Sequence, residues 1–129
     1  MLTILLLAFG LSTAEAKDLT GDEIRALFSG KTIHSYHERK DFDIVAFYAP
    51  DGTVRMERKG DTWTGKWRID GNNICLQLND PYSGVPRKER CRIIAEEDGV
   101  YKKYKVKDNG NRVHIITYRK FEDGNTAGL

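Results

Sequence analysis

Turn signals divide most of this chain into short segments in which apolar and polar residues alternate. Asp-Gly and Asn-Gly pairs between such segments are the strongest short-range indication of β-hairpins. From residue 32 onward, turn-forming residues stand at 51–52, 59–61, 70–72, 97–99 and 108–111. With a further segment at 32–37, the pattern predicts a mainly β chain of about eight strands in a near-continuous antiparallel meander.

An open sheet of this kind would leave unpaired strands at both edges. Closing the sheet on itself removes those edges. We therefore expect a small up-and-down barrel or a strongly curved sheet. The longest connection inside it lies at 79–86, and neither an internal repeat nor a linker interrupts the pattern. The sequence thus predicts a single β-barrel-like domain over 17–129.

One helix precedes the predicted strands. Thr20 is followed three residues later by Glu23, which is the spacing of a capping box. Ile24, Leu27 and Phe28 then form an apolar stripe at i, i+3 and i+4. This pattern predicts an N-terminal helix of about ten residues, which is too short to be stable alone and must pack its stripe against the strands.

The first sixteen residues form an apolar run that ends in Ala14-Glu15-Ala16, the small-x-small pattern after which signal peptidase cuts. No Lys or Arg precedes the run, and a start codon upstream of Met1 would explain that departure. The run is too short for a membrane span of about 20 residues. We predict a cleaved signal peptide at 1–16, a periplasmic or secreted protein, and no transmembrane segment after cleavage. The alternatives are a membrane anchor and an uncleaved or buried N-terminal segment.

Two cysteines, Cys75 and Cys91, are the only ones in the chain. Two cysteines in an exported protein most often pair, so we predict a structural disulfide between them. Strand alternation places the side chain of Cys75 on the opposite face from that of Leu76, whereas Cys91 is on the same face as Ile93. A bulge or a bend is therefore expected to bring the two sulfur atoms together.

The formal net charge of +2 is too small to predict a nucleic-acid partner. Basic residues nevertheless cluster at 87–92 and at 102–107. They are interpreted either as strand residues that face water or as contacts to an anionic surface or ligand, such as phospholipid headgroups or an acidic partner.

No catalytic or metal-binding pattern is visible. His34 and His37 are three residues apart in a predicted strand and so face opposite ways, which does not suit a shared metal. The chain has no Gly-x-Ser-x-Gly elbow and no glycine-rich phosphate loop. We predict no cofactor and no catalytic residue. An enzyme stays open as a third hypothesis, because carboxylates can meet in space without being close in sequence.

Aromatic residues on the predicted strands favour a binding role. Small eight-stranded barrels hold either packed side chains or one small ligand. A pocket formed by Trp63, Trp67 and Tyr101, with Arg90 nearby, would suit an amphipathic or anionic ligand. The first hypothesis is therefore a non-enzymatic binding module for such a ligand. For each aromatic residue the alternative is an ordinary core position.

The loop 80–87 carries the second hypothesis, a protein that binds or inhibits another envelope protein. Its contact residues would be Asp80, Tyr82, Ser83 and Arg87. Periplasmic lysozyme inhibitors are small disulfide-bearing barrels of similar size, and their Ser-Gly loop is similar to the Ser-Gly pair that follows Tyr82. The tyrosine expected after that pair is replaced here by a Pro-Arg sequence.

Two further resemblances rest on sequence motifs. Gly65-Lys66-Trp67 is similar to the Gly-x-Trp motif of lipocalins, although that motif opens a lipocalin barrel and here lies in mid-chain. A resemblance over most of the chain, to a family of small exported proteobacterial proteins of unknown function, rests on Leu19-Thr20-x-x-Glu23-Ile24-x-x-Leu27-Phe28-Ser29-Gly30-Lys31-Thr32, Tyr48-x-x-Asp51-Gly52-Thr53, Gly65-x-Trp67-x-Ile69-x-Gly71-x-x-x-Cys75 and the later Cys91. It implies a periplasmic setting, a small β-rich domain and a Cys75–Cys91 pair, and it transfers no activity.

Overall fold

The computed structural model describes residues 16–129, so the signal peptide predicted at 1–16 lies outside the described residues except for Ala16. The described chain forms one helix and nine strands. In chain order they are β1 (Lys17–Asp18), α1 (Gly21–Phe28), β2 (Lys31–His37), β3 (Phe42–Tyr48), β4 (Thr53–Arg58), β5 (Asp61–Asp70), β6 (Asn73–Asn79), β7 (Arg90–Glu97), β8 (Val100–Val106) and β9 (Arg112–Asp123).

Strands β2 to β9 form a closed antiparallel barrel. Each strand from β2 to β8 pairs with the next in sequence, and β9 pairs with both β8 and β2. The predicted barrel is therefore confirmed, and an open curved sheet is excluded. The short strand β1 lies outside the eight-strand circuit and pairs with the end of β7, where Lys17 is opposite Glu96.

The helix begins as its sequence pattern predicts, and it spans eight residues where about ten were expected. Thr20 Oγ1 accepts a hydrogen bond from the Glu23 amide at 3.2 Å, and Glu23 Oε1 accepts one from the Thr20 amide at 3.1 Å. One part of the prediction is wrong, because the strand β1 precedes α1 and the helix is not the first element. Backbone pairing with the free edge of β7 orders that segment before the capping box begins.

The helix closes one end of the barrel. The apolar stripe residues Ile24 and Phe28 are fully buried. The Phe28 ring packs edge-on against Tyr48 and Tyr118, with both centroid distances at 5.1 Å. The first residue of the helix, Gly21, lies so close to the β5–β6 turn that a Cβ would be 2.1 Å from the Gly71 carbonyl oxygen.

The loops of the barrel fall into two groups at opposite ends. At the closed end, beside α1, are the loops 49–52, 71–72 and 98–99. We call the opposite end the mouth, and it is surrounded by the loops 38–41, 59–60, 80–89 and 107–111. Among residues 16–129, no helix has the length and apolar character that crossing a membrane requires.

The disulfide forms without the irregularity expected from the sequence. Cys75 and Cys91 lie directly opposite each other on β6 and β7, and their sulfur atoms are bonded. The expected bulge is wrong because β7 is apolar on both faces, so the pattern does not show which side points inward. Arg90 and Arg92 line the interior, and Cys91 and Ile93 therefore point outward.

Candidate functional site

A cavity of about 410 Å³ occupies the mouth half of the barrel. Its size is at the lower end of the range for small-molecule sites, about 300–1,000 Å³. Its floor consists of buried side chains from β3, β4 and β9, namely Ile44, Tyr48, Met56, Ile116 and Tyr118. The floor is thus mainly apolar, and it rests on Phe28 of the helix.

Ten basic side chains line the rest of the cavity, and no Asp or Glu is among its lining residues. These are Arg39, Lys40, Arg58, Arg87, Lys88, Arg90, Arg92, Lys103, Lys105 and Lys107. None of them belongs to the ion pairs found in the described part of the chain. The cavity is therefore a concentration of positive charge, which is offset only in part by Asp61 near Arg58 and Asp80 near Arg87.

Strand alternation explains how the basic clusters reach the interior. Arg90 and Arg92 on β7, and Lys103 and Lys105 on β8, are spaced two residues apart and so share a face. The interpretation as strand residues that face bulk water is wrong for Arg92 and Lys103, which are partly buried, whereas Arg90 and Lys105 line the cavity and are also exposed. The side chain of Lys102 is on the opposite face of β8, and its Nζ donates to Glu97 Oε2 at 2.8 Å.

A bulge in β9 adds to the apolar lining. Lys103 is opposite Ile116 and Tyr104 is opposite His114, so Ile115 is an extra residue without a partner on β8. Both Ile115 and Ile116 consequently line the cavity.

The like charges lower one another's proton affinity. Burial, with a smaller contribution from Arg92, lowers the pKa of Lys103 to about 8. Burial also lowers the pKa of Lys40, and the neighbouring Arg58 lowers it further. The same two causes, burial and nearby positive charges that include Lys40, hold the pKa of His37 below its usual value. An anion in the cavity would reverse the electrostatic part of these shifts.

Trp63 is opposite Met56 in the β4–β5 ladder, which places it on the inner face of the barrel, and it supports two of the cavity cations. The Arg58 guanidinium carbon is 4.0 Å from the centre of the Trp63 ring, and that of Arg87 is 5.4 Å away. Cation–π attraction at these distances fixes both guanidinium groups at the mouth without neutralising their charge. Trp63 therefore acts on the cavity through these arginines.

The four residues predicted as ligand contacts are only partly brought together. Arg90 lines the cavity and Trp63 lies next to it. Trp67 is buried in the core, where its indole Nε1 donates to the Ala49 carbonyl oxygen at 2.8 Å. Tyr101 packs edge-on against Phe121 at 5.6 Å and belongs to the packing around the core.

Seven of the ten cavity cations belong to the basic clusters at 87–92 and 102–107, but the sequence does not show that they face inward. Lys103 and Lys105 alternate with Tyr104 and Val106, so either set is compatible with the inner face of β8. Basic residues at i and i+2 on two consecutive strands are the signal that could have indicated a charged interior.

The loop predicted as an interaction site is well ordered and stands at the mouth. Asp80 Oδ1 accepts hydrogen bonds from the amides of Tyr82 and Ser83, both at 2.9 Å. The Tyr82 hydroxyl donates to Asp61 Oδ1 at 2.6 Å, which ties the loop to the start of β5. Arg87, at the base of the loop, lines the cavity.

One group in the described residues has the spacing of metal ligands, namely Asp70 with Cys75 and Cys91. The two sulfur atoms are bonded to each other, so they are not available as thiolate ligands.

Comparison of the chain with protein-family models, with curated proteins and with solved structures gave no match. The resemblance to a family of exported proteobacterial proteins therefore stays a prediction. The function of the cavity has to follow from its own residues and charges.

Proposed function

We propose that this protein is a non-enzymatic binding module that holds one small amphipathic anion in its barrel. The anionic group lies among the cations of the mouth, and the apolar part lies against the floor. The observation that carries this proposal is the set of ten basic side chains around an opening that has no acidic lining residue.

Electrostatics supports a ligand over a purely structural role for these cations. Arg58, Arg92 and Lys103 are partly buried, and the other seven cations are exposed. The like charges repel one another, and the three partly buried ones also lose hydration, so the arrangement costs stability in the absence of an anion. A bound carboxylate, sulfate or phosphate group would relieve the repulsion and accept charge-assisted hydrogen bonds from Arg90 and Arg92.

The floor supports an apolar part in the same ligand. Ile44, Met56 and Ile116 are almost fully buried in the core and present their side chains to the cavity. Each methylene group that a ligand buries there contributes about 0.8 kcal/mol. A cavity of about 410 Å³ leaves room for one short alkyl chain or one ring system.

The proposed setting is periplasmic or secreted. The disulfide between Cys75 and Cys91 is compatible with an oxidising compartment, where such bonds persist. The predicted signal peptide at 1–16 supports the same location.

Calorimetric titration with dodecanoate, dodecyl sulfate and uncharged dodecanol tests the binding proposal. We expect the two anions to bind one per protein and dodecanol to bind far more weakly. Arg92→Met and Lys103→Met should each weaken dodecyl sulfate binding about tenfold or more, since a hydrogen bond to a charged group contributes roughly 1.5–3 kcal/mol. Equal affinity for dodecanol, or no binding by either anion, would contradict the proposal.

Two control variants match these substitutions at sites away from the cavity. Arg25 lies on the exposed face of the closed-end helix, and Lys66 is exposed on β5. Arg25→Met and Lys66→Met remove the same charges, so both should leave dodecyl sulfate binding unchanged. If they weaken it as much as the cavity variants do, the effect is one of net charge and the site assignment is wrong.

A further inference from the structure

Two apolar side chains project from the mouth into solvent. Tyr82 and Val85 are 83% and 60% exposed, the highest values among the large hydrophobic residues of the described chain. Both belong to the loop 80–89, which stands beside the cavity opening. The two residues are three positions apart in one loop, so together they form a small apolar surface beside the cavity opening.

Hydrogen bonds hold this loop in one conformation. Besides the contacts of Asp80 and Tyr82 described above, the Asp80 amide donates to the Val85 carbonyl oxygen at 2.9 Å. At the base, the Arg87 amide donates to the Leu78 carbonyl oxygen at 2.8 Å. A loop that is already ordered loses little conformational entropy when its tip is buried in another medium.

Every loop of the mouth also supplies positive charge. The cations of this rim are Arg39 and Lys40 from 38–41, Lys59 from 59–60, Lys88 from 80–89 and Lys107 from 107–111. The same loops also carry the carboxylates Glu38, Asp41, Asp80, Glu89 and Asp108, of which Glu89 is paired with Arg68. The positive excess at the mouth therefore comes from these loop cations together with the cavity cations directly behind them, such as Arg90, Arg92 and Lys105.

We propose that the mouth docks on the surface of an anionic phospholipid bilayer, with Tyr82 and Val85 inserted at the level of the headgroups. Tyrosine is favoured at membrane interfaces because its ring is apolar and its hydroxyl is polar. Basic residues near an anionic surface contribute about 1 kcal/mol each. The positive excess of the loop and cavity cations at the mouth suits an anionic surface, whereas a protein partner would call for a larger apolar centre than two side chains.

Sedimentation with lipid vesicles tests the docking. The full chain from Lys17 is mixed with vesicles of phosphatidylcholine alone or of phosphatidylcholine with phosphatidylglycerol. We expect co-sedimentation only with the anionic vesicles, and we expect it to weaken as the salt concentration rises. No co-sedimentation with phosphatidylglycerol, or equal binding to both vesicles, would overturn the proposal.

Matched variants separate the two parts of the surface. The double substitution Tyr82→Ser with Val85→Ser should weaken vesicle binding about tenfold or more, since burying one such side chain contributes about 1.5–3 kcal/mol. Val100→Ser, at an exposed valine of the closed end, should have no effect. Lys88→Glu with Lys107→Glu should abolish binding, while Lys66→Glu on the outer wall should not. Vesicle binding that the Tyr82 and Val85 substitutions leave unchanged would overturn the proposed insertion of these side chains.

Two further experiments test whether the same cations recognise a free phosphate group or an acidic protein. Glycerol phosphate at constant ionic strength should not release the protein from vesicles, and release would mean that a free phosphate group is what is recognised. Retention on an immobilised acidic protein without vesicle binding would favour a protein partner and overturn the proposal. The double variant at Tyr82 and Val85 should still bind dodecyl sulfate, so failure of docking and failure of the proposed cavity function are distinguishable.

Discussion

Among the cavity cations, Lys103 has the pKa that the fold lowers most. Burial lowers its pKa to about 8, whereas an unfolded lysine titrates near 10.4. The folded protein therefore binds fewer protons than the unfolded chain between these two values, and the contribution of Lys103 to the free energy of unfolding rises with pH across that window. Below pH 8 its buried charge is a full cost to stability.

Lys103→Met should consequently stabilise the protein at pH 7, and the advantage should shrink as the pH rises from about 8 to 10. Urea unfolding of both proteins at several pH values measures the difference. Lys66→Met is the control, because Lys66 is exposed and should give a difference that does not vary with pH. A constant difference for Lys103→Met would show that its charge carries no burial cost.

Tyr118 has the one buried side-chain polar atom without a hydrogen-bond partner among the described residues. An unsatisfied buried hydroxyl costs roughly 1–3 kcal/mol. Tyr118→Phe removes the hydroxyl and keeps the ring that packs on Phe28, so stability in thermal or urea unfolding should be unchanged or higher by about 1 kcal/mol. Trp67→Phe is the contrasting variant, because it loses the hydrogen bond to Ala49 and should lower stability.

Among the elements, β5 and β6 leave no room for a side chain at Gly65. A Cβ at this position would be 2.2 Å from the Gln77 carbonyl oxygen and 2.9 Å from the Leu78 Cα. Both are backbone atoms of a strand that pairs on both sides, so neither has room to move away. Gly65→Ala should lower the free energy of unfolding by about 1–3 kcal/mol. The neighbouring exposed Thr64→Ala should cost much less, and equal losses would contradict the close approach.

At the scale of single elements, short-range turn and capping signals explain which elements the sequence predicts well. The turn residues at 51–52, 59–61 and 70–72 enclose the segments 53–58 and 62–69, of which the first has the observed bounds of β4 and the second lies within β5. Their Asp-Gly and Lys-Gly turns act within a few residues, so they can be identified without the rest of the chain. The capping box of Thr20 is local in the same way.

The sequence does not show which side chains of β7 and β8 point into the barrel, because this depends on the strand pairings that close it. Arg92 and Lys103 point inward, while the apolar Ile93 is on the outer face. Isolated strands with apolar residues on both sides carry no information on which side becomes the interior. The charged cavity consequently emerges only from the closed fold.

At the scale of the whole molecule, the shortest strand pairing of the barrel lies between β6 and β7, and we call this pairing the seam. Their ladder runs only from Ile74 opposite Arg92 to Leu76 opposite Arg90, three residue pairs, whereas every other ladder of the barrel has at least five. The disulfide joins the central pair of this ladder. The covalent bond therefore closes the barrel where backbone pairing is shortest.

Replacing both Cys75 and Cys91 by Ser should lower the free energy of unfolding by about 3 kcal/mol, the chain-entropy value for a loop of this length. The loss should also be local. Amide hydrogen exchange should accelerate in β6 and β7 well before it does in β3 and β4, because the seam opens while the other ladders remain paired. Arg90 and Arg92 lie on this seam, so dodecyl sulfate binding should weaken as well. Uniform acceleration across all strands would mean that the disulfide stabilises the barrel as a whole and does not hold the seam.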